Sequence, residues 1–249
     1  MKKLFSLILA VLLLSVSYVP NVASAATVNV PVLAYHVVTQ YPDSGNLYQY
    51  NLTEFKNEMD YLKNNGYTPL SIDEYYNIIN NTATAPSKPI LLTFDDCTSD
   101  FYSNVYPVLY QYGFKATQFA VSNWINTGGH MTSSQIQEVA ANKIDVQNHT
   151  SNHVNLTSQT HDQKWSAINN CSTQLNSLIY YKTPSFCAYP YGSYDSDTVS
   201  ILQDLGYKGG FTVSGGLSSS SNNKFALPRI IMTNGDSLSI FIRKITTGY

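Results

Sequence analysis

The chain has 249 residues and a formal net charge of −2, and charged residues make up only 12% of it. It has no basic stripe, so nucleic acid is not an expected partner. With 20 tyrosines and few charges, the surface should be rich in Asn, Ser, Thr and Tyr, which suits neutral polar ligands such as glycans.

The first 25 residues have the pattern of a secretory signal peptide. Lys2 and Lys3 precede the apolar segment Leu4 to Leu14, and Ala23-Ser24-Ala25 provides the small residues of a cleavage site. The apolar segment is short for a membrane span, and a retained N-terminal anchor is the alternative interpretation. Cleavage would remove both lysines and leave 224 residues (249 minus 25) with a charge of −4 (12 minus 16). We therefore expect one exported catalytic domain over residues 26–249, secreted or associated with the cell wall, with no stable membrane span.

Strands and helices are predicted to alternate along the rest of the chain. Their order, without a break in composition, predicts one parallel α/β domain, either a barrel or a doubly wound sheet. About six or seven β/α units fit the length, which favours an incomplete barrel. The predicted strands are 28–35, 67–70, 88–96, 115–121, 144–148, 185–189, 210–213 and 225–232; the predicted helices are 53–65, 71–79, 102–112, 132–141, 165–179, 195–206 and 238–245.

One run, Lys88 to Asp96, is the centre of the predicted sheet. Its continuous apolar residues are typical of a strand that is buried on both faces, and it ends on two adjacent carboxylates, Asp95 and Asp96. The carboxyl ends of parallel strands are where barrels and open α/β sheets place their active sites. The alternative is that one of these side chains only caps the following helix.

Three histidines fall at or just after predicted strand ends. His36 follows the first strand, and His149 and His153 follow the strand 144–148. Four residues apart, the latter two would share a face of one helical turn. With a carboxylate they would form a two-His, one-carboxylate metal site with an open position, while the second carboxylate takes a proton from water. Surface histidines are the ordinary alternative, and a non-haem iron oxygenase is disfavoured by the alternating β/α pattern.

The three cysteines are Cys97, Cys171 and Cys187. Cys171 lies on the apolar face of a predicted helix and Cys187 in the strand that follows, so a disulfide between them is compatible with the pattern. Two buried free thiols are equally compatible, because the sequence does not give the Cα separation that a disulfide requires.

Three short motifs resemble the polysaccharide deacetylase family (carbohydrate esterase family 4, the NodB homology domain). They are Thr93-Phe94-Asp95-Asp96, then His149-Thr150-Ser151-Asn152-His153, then Tyr189-Pro190-Tyr191-Gly192, in that order. The resemblance extends over nearly all of residues 31–245. It implies a distorted, incomplete (β/α) barrel of about seven units and a metal-dependent hydrolase that removes acetyl groups from N-acetylated sugars.

The resemblance also implies a role for each matching residue. Asp95 would be the general base, and Asp96, His149 and His153 would be the metal ligands. The backbone N–H of Tyr191 would stabilise the tetrahedral oxyanion. Zinc is the expected ion for these ligands, with cobalt or nickel acceptable, and the metal would activate the water that attacks the acetamide.

The chain departs from the family pattern at several positions. Cys97 stands where the first motif usually continues with Gly, and Ala188 stands where the third motif usually has Arg. The fourth, Asp-containing motif has no match near residues 211–215. The late Leu-x-His motif that usually supplies the general acid is also missing, because no histidine follows His161.

Two other residues are candidates for the missing groups. We hypothesise that His36, or Asp95 once it is protonated, donates the proton to the leaving amine. Arg229 could orient Asp95 in place of the missing Arg, and a surface salt bridge is its ordinary alternative.

The sequence therefore predicts a secreted, metal-dependent N-deacetylase that acts on a glycan containing N-acetylglucosamine. Peptidoglycan, chitin-like oligomers, poly-N-acetylglucosamine and acetylated xylan all remain open as substrates. The alternative is a cell-surface glycan-binding protein on the same fold with weakened catalysis, because the usual acid and Arg are missing.

Overall fold

The computed structural model describes residues 28–249, so the predicted signal peptide lies outside the described residues. Ten strands are assigned within this range. They are β1 (Val32–Tyr35), β2 (Val37–Thr39), β3 (Gln49–Asn51), β4 (Thr68–Pro69), β5 (Pro89–Asp95), β6 (Ala116–Ala120), β7 (Ile144–Asn148), β8 (Phe186–Ala188), β9 (Gly209–Phe211) and β10 (Ile230–Ile231).

A parallel sheet with the order β10-β1-β5-β6-β7-β8-β9 forms the centre of the domain, and β4 pairs with the start of β5. Every pairing along this path is parallel. The curled sheet confirms the predicted distorted, incomplete (β/α) barrel.

Seven α-helices occur within the described residues: α1 (Leu52–Asn64), α2 (Ile72–Ile79), α3 (Tyr106–Tyr112), α4 (Ser133–Ala141), α5 (His161–Leu178), α6 (Ser196–Asp204) and α7 (Leu238–Thr247). The capping boxes that the sequence predicts at Ser71 and Thr132 are present, and Thr160 provides a third one. In each, the hydroxyl accepts from a backbone N–H that the first helical turn leaves free. Over residues 28–249, no helix combines the length and apolar character needed to cross a membrane.

All seven residues of β5 are buried, and alternate side chains point to opposite faces of the sheet. Leu92 and Phe94 pack in a cluster with Phe55 and Met59 of α1. Leu91 packs on the other face, in the cluster that contains Phe186 and Phe211 of β8 and β9. Because strand residues two apart share a face, the side chain at position 95 has the same orientation as that of Leu91, towards the inner face of the curled sheet.

The two edges of the sheet meet through one short segment. Leu227 forms a parallel bridge with Phe211 of β9, and Ile230 pairs with Leu33 of β1. The predicted strand over 225–232 is therefore wrong in length, since only Ile230 and Ile231 are assigned to β10. The chain changes partner at Pro228, which has no N–H to continue a ladder.

Two further features differ from the sequence prediction. Strands β2 and β3 form a separate two-stranded sheet from residues that were expected to be loop. A π-helical turn, Phe101–Val105, precedes α3, so the predicted helix starts with wider turns. The alternative of free thiols is the one observed, because all three cysteines are buried and unpaired.

Candidate active site

A pocket of about 430 Å³ opens at the carboxyl ends of β1, β5, β7 and β8. It brings together all seven residues that the sequence predicts for the site, although four elements and one late segment supply them. They are His36, Asp95, Asp96, His149, His153, Tyr191 and Arg229.

Asp95 is buried at the end of β5 and forms a bidentate ion pair with Arg229. The two carboxylate oxygens accept from Nη1 at 2.7 Å and from Nη2 at 2.8 Å. Burial alone would raise the pKa of Asp95, but the charge and the hydrogen bonds of Arg229 hold that pKa well below its usual range. Asp95 is therefore an ionised carboxylate despite its burial.

Arg229 is held as firmly as the carboxylate that it binds. Its Nε donates to the carbonyl of Thr212 at 3.2 Å, and Nη1 also donates to the hydroxyl of Thr93 at 3.1 Å. Its guanidinium carbon lies 5.3 Å from the centre of the Phe119 ring. Only 1% of the residue is exposed, so the alternative of a surface salt bridge is wrong.

Asp96, His149 and His153 converge beside this ion pair. Oδ1 of Asp96 lies 3.6 Å from Nε2 of each histidine, and the three potential ligand atoms lie within 4.8 Å of one another. Asp96 Oδ1 is buried and has no hydrogen-bond partner among the described residues. An unpartnered buried carboxylate oxygen is costly, and a cation between it and the two imidazoles would compensate it. Two imidazoles and one carboxylate fit a catalytic divalent metal.

The two histidines do not lie on a helical turn, so that part of the sequence prediction is wrong. Residues 149–153 form an irregular loop in which Thr150 and His153 have positive φ angles of 66° and 53°. Asn148 and Thr150 hold the loop, since the N–H of Thr150 donates to Asn148 Oδ1 at 2.7 Å and the N–H of His153 donates to Thr150 Oγ1 at 3.0 Å. The imidazole rings end 4.9 Å apart.

His149 is prepared for metal binding by its surroundings. Its Nδ1 lies 2.7 Å from the carbonyl of Ala188, so Nδ1 carries the proton and Nε2 is free towards Asp96. Burial lowers the pKa of His149 to about 4, which keeps the ring neutral near neutral pH. Burial and the neighbouring Asp95 charge raise the pKa of Asp96 to about 6 in the protein alone.

His36 also lies beside Asp95. Its Nε2 is 3.9 Å from Asp95 Oδ2, and its Nδ1 is buried without a hydrogen-bond partner among residues 28–249. The ring of Tyr48 lies 4.8 Å from the His36 ring. Sequence reasoning missed Tyr48, because only the folded β2–β3 connection brings it to the pocket.

Tyr191 lies in the tight turn after β8, where its φ of 61° is followed by a φ of 69° at Gly192. A Cβ at Gly192 would meet Cγ2 of Val213 at 2.5 Å, so only glycine fits. The Tyr191 ring lies 4.8 Å from the His153 ring, and the ring of Trp124 lies 5.3 Å from it. Trp124 was also missed, since nothing in its local sequence indicates contact with a potential metal ligand.

The structure shows the surroundings of two positions at which the chain departs from the family pattern. Cys97 has a φ of 52°, a left-handed conformation in which glycine is the usual residue. Its thiol is buried and contacts the carbonyl of Val121 at 3.6 Å. Ala188 has no guanidinium group, but Arg229, immediately before β10, reaches Asp95.

Comparisons with known proteins agree with this site. A family model described as polysaccharide deacetylase matches residues 82–210, a range that contains all three motifs. A Bacillus subtilis (strain 168) protein named as the polysaccharide deacetylase YxkH is 32% identical over 211 residues, covering 85% of this chain and 74% of that one. The poly-beta-1,6-N-acetyl-D-glucosamine N-deacetylase of Escherichia coli (strain K12) is 25% identical over 234 residues, covering 77% of this chain and 35% of that protein.

A solved structure resembles the whole described domain. The Streptococcus pyogenes deacetylase PplD, in complex with acetate, has a TM-score of 0.83 and 28% identity, and the match covers 88% of this chain and 99% of that chain. Together with the family match and the 32% identical relative, it leads to one conclusion: the chain belongs to the polysaccharide deacetylase family and is a hydrolase.

Proposed function

We propose that the protein removes N-acetyl groups from a glycan that contains N-acetylglucosamine, outside the cell or at the cell wall. The observation that carries the proposal is the position of the Asp96, His149 and His153 group next to the ion pair of Asp95 and Arg229, inside one pocket. The predicted signal peptide and the N-acetylglucosamine substrate named for the E. coli relative support the location and the substrate class.

Asp96, His149 and His153 are the residues that would hold a divalent metal, with zinc as the proposed ion and cobalt or nickel as alternatives. The metal would supply Lewis acidity at the acetamide group. The three side chains contribute one carboxylate oxygen and two neutral imidazole nitrogens, and the rest of the pocket determines where the acetamide lies.

Asp95 is the proposed general base. Arg229 keeps it ionised, so it can accept the proton of the attacking water as the water oxygen bonds to the acetamide carbon. The same pairing lowers the basicity of Asp95, so Asp95 accepts a proton only from a water molecule that is already polarised. Charge that develops on the carbonyl oxygen is stabilised by the backbone N–H of Tyr191 in this proposal.

His36 is the proposed proton donor. When the carbon–nitrogen bond breaks, acetate leaves and the sugar nitrogen takes a proton to become an amine. The His36 Nε2 near Asp95 Oδ2 allows the proton taken by Asp95 to pass to His36 and then to the leaving nitrogen. His36 would thereby replace the missing late histidine.

The experiment is an acetate-release assay over N-acetylglucosamine oligomers, peptidoglycan fragments and acetylated xylan, together with elemental analysis of the purified protein. Wild type should carry about one metal ion and release acetate from an N-acetylated glycan. Asp96→Asn should lose most of the metal and the activity. His36→Ala should retain the metal and lose roughly 10²–10⁴-fold in turnover, the usual contribution of a general acid.

Two outcomes contradict the proposal. Glycan binding without acetate release by metal-loaded wild type would favour the glycan-binding alternative. Unchanged turnover in His36→Ala at unchanged metal content would remove His36 from the mechanism and leave protonated Asp95 as the donor.

A further inference from the structure

Two exposed tyrosines line the pocket. Tyr48 is 51% exposed and Tyr191 is 65% exposed, and both line the pocket. Because both rings line the same pocket, a ligand that enters it can contact them.

Tyr48 belongs to the connection between β2 and β3, which we call the 40–48 loop. Its N–H donates to Asn46 Oδ1 at 3.0 Å, and its carbonyl accepts from the N–H of Val37 at 3.2 Å. The backbone of Tyr48 is therefore fixed on both sides before any ligand arrives.

Asn234, in the connection before α7, fastens the rest of the loop. Its backbone N–H donates to the carbonyl of Leu47 at 2.9 Å, and its Nδ2 donates to the carbonyl of Asp43 at 2.8 Å. A rigid loop that holds an exposed aromatic ring loses little entropy when it binds, which is the physical advantage of preorganisation.

The ring of Tyr48 lies next to the reacting groups without belonging to them. It is 4.8 Å from the ring of His36, and the ring of Tyr191, which lines the same pocket, is 4.8 Å from that of His153. A sugar bonded to one whose acetamide points at Asp95 can therefore lie against the ring of Tyr48.

The wall that Tyr48 forms is uncharged. Val37, Asn46 and Tyr48 line it, and the one guanidinium in the pocket, that of Arg229, is already bound to Asp95 through both of its terminal nitrogens. Apart from this guanidinium and the imidazoles of His36, His149 and His153, no basic side chain among residues 28–249 lines the pocket to bind a uronic acid or a phosphate. The wall offers an aromatic face for sugar C–H groups and a side-chain amide for hydroxyls.

We propose that Tyr48, held by the 40–48 loop, forms a subsite for a neutral pyranose ring next to the sugar that is deacetylated. This inference rests on the proposed function, and it narrows the substrate to neutral oligomers in which at least two sugars occupy the cleft. Tyr48 acts by binding, so its removal should raise KM much more than it lowers kcat.

The test measures KM and kcat for short N-acetylglucosamine oligomers with metal-loaded protein. Tyr48→Ala should raise KM about tenfold and lower kcat by no more than about threefold, which corresponds to the loss of one aromatic contact. Tyr48→Phe, which retains the ring, should have the KM of wild type. Tyr41→Ala is the matched control, since Tyr41 is 86% exposed in the same loop but does not line the pocket.

The possible failures are distinguishable. Wild type that releases no acetate from any N-acetylated oligomer overturns the proposed function and the subsite with it. Active wild type with an unchanged KM in Tyr48→Ala overturns the subsite alone. A fall in kcat at constant KM also overturns it, since Tyr48 would then position His36 instead of binding sugar.

Discussion

Asp95 and Asp96 are neighbours in the chain with opposite surroundings. Asp95 is buried against Arg229, which satisfies both of its oxygens, whereas Oδ1 of Asp96 has no partner among the described residues. The left-handed φ of 73° at Asp96 turns its side chain out of the alternation of β5. One carboxylate is therefore held in its ionised form, whereas the other has an oxygen free for the cation that we propose.

Arg229 should set the pH range in which Asp95 acts. In Arg229→Lys the bidentate pairing is lost, so the pKa of Asp95 should rise and the acid limb of kcat/KM should move to higher pH. Because a base must be ionised, activity at low pH should fall most, by about 10²-fold or more. Activity near pH 8 should recover in part, and a pH–rate profile measures both effects.

The matched control is Arg243→Lys, because Arg243 lies on α7 and does not line the pocket. If Arg229→Lys and Arg243→Lys both have the pH–rate profile of wild type, Arg229 does not control the base.

The sequence located the site residues that lie at or just after the ends of predicted strands. Asp95, His149 and Tyr191 could be located because each follows a recognisable strand and belongs to a motif. Tyr48 and Trp124 could not, since they reach the pocket only through tertiary packing. The loop at 149–153 was placed correctly but given the wrong conformation, because four-residue spacing does not reveal positive φ angles.

Helix α1 carries a buried acid into the core behind the pocket. Glu58 has no exposed surface, and it accepts hydrogen bonds from the hydroxyls of Tyr35 and Tyr50. Burial raises the pKa of Glu58 from 4.5 to about 8, although both hydrogen bonds oppose this rise. Because Tyr35 directly precedes His36, this group also supports the end of β1.

Glu58 should make the stability of the protein depend on pH. The folded protein retains a proton on Glu58 that the unfolded chain releases near its ordinary pKa of 4.5. Its contribution is therefore complete below about pH 4.5 and is lost as the pH rises through about 8. In Glu58→Gln, this loss, roughly 3 kcal/mol between about pH 5 and about pH 8, should disappear.

Urea unfolding at several pH values measures the effect. Glu54→Gln is the matched control, one helical turn away on α1 and not fully buried; it should retain most of the pH dependence of wild type, because the charge of Glu54 contributes least to the raised pKa of Glu58. A Glu58→Gln protein with the same pH dependence as wild type would show that Glu58 does not titrate in this range.

The strands and helices with clear local sequence patterns were predicted most accurately. Strand β7 has the predicted bounds, and the helices after Ser71 and Thr132 begin where their capping boxes place them. Strands β2 and β3 could not be predicted, because they have three residues each, which is too short for a clear alternating pattern.

For the molecule as a whole, metal binding at the proposed ligands should stabilise the folded protein. A ligand that binds only the folded state stabilises it by about 2.7 kcal/mol at a hundredfold excess over Kd. For a domain of this size that corresponds to a rise in Tm of roughly 5–10 °C. Chelation should therefore lower the Tm, and added zinc should restore it.

Asp96→Asn provides the control for this measurement, because it removes one of the three ligands without changing the size of the side chain. Its Tm should be nearly insensitive to chelator and to zinc. An equal zinc-dependent shift in wild type and in Asp96→Asn would place the bound metal elsewhere.

The segment that joins the two edges of the sheet, residues 227–230, also contains a residue that the candidate active site requires. Asp95 belongs to the middle of the chain, but its partner Arg229 is 134 residues away, between the residues that pair with β9 and β1. Before this segment is in place, the carboxylate of Asp95 lacks the guanidinium of Arg229. Burial of a carboxylate without a cation favours its protonated form. Because Arg229 is synthesised 134 residues after Asp95, the candidate base acquires its cation only after most of the chain has been made.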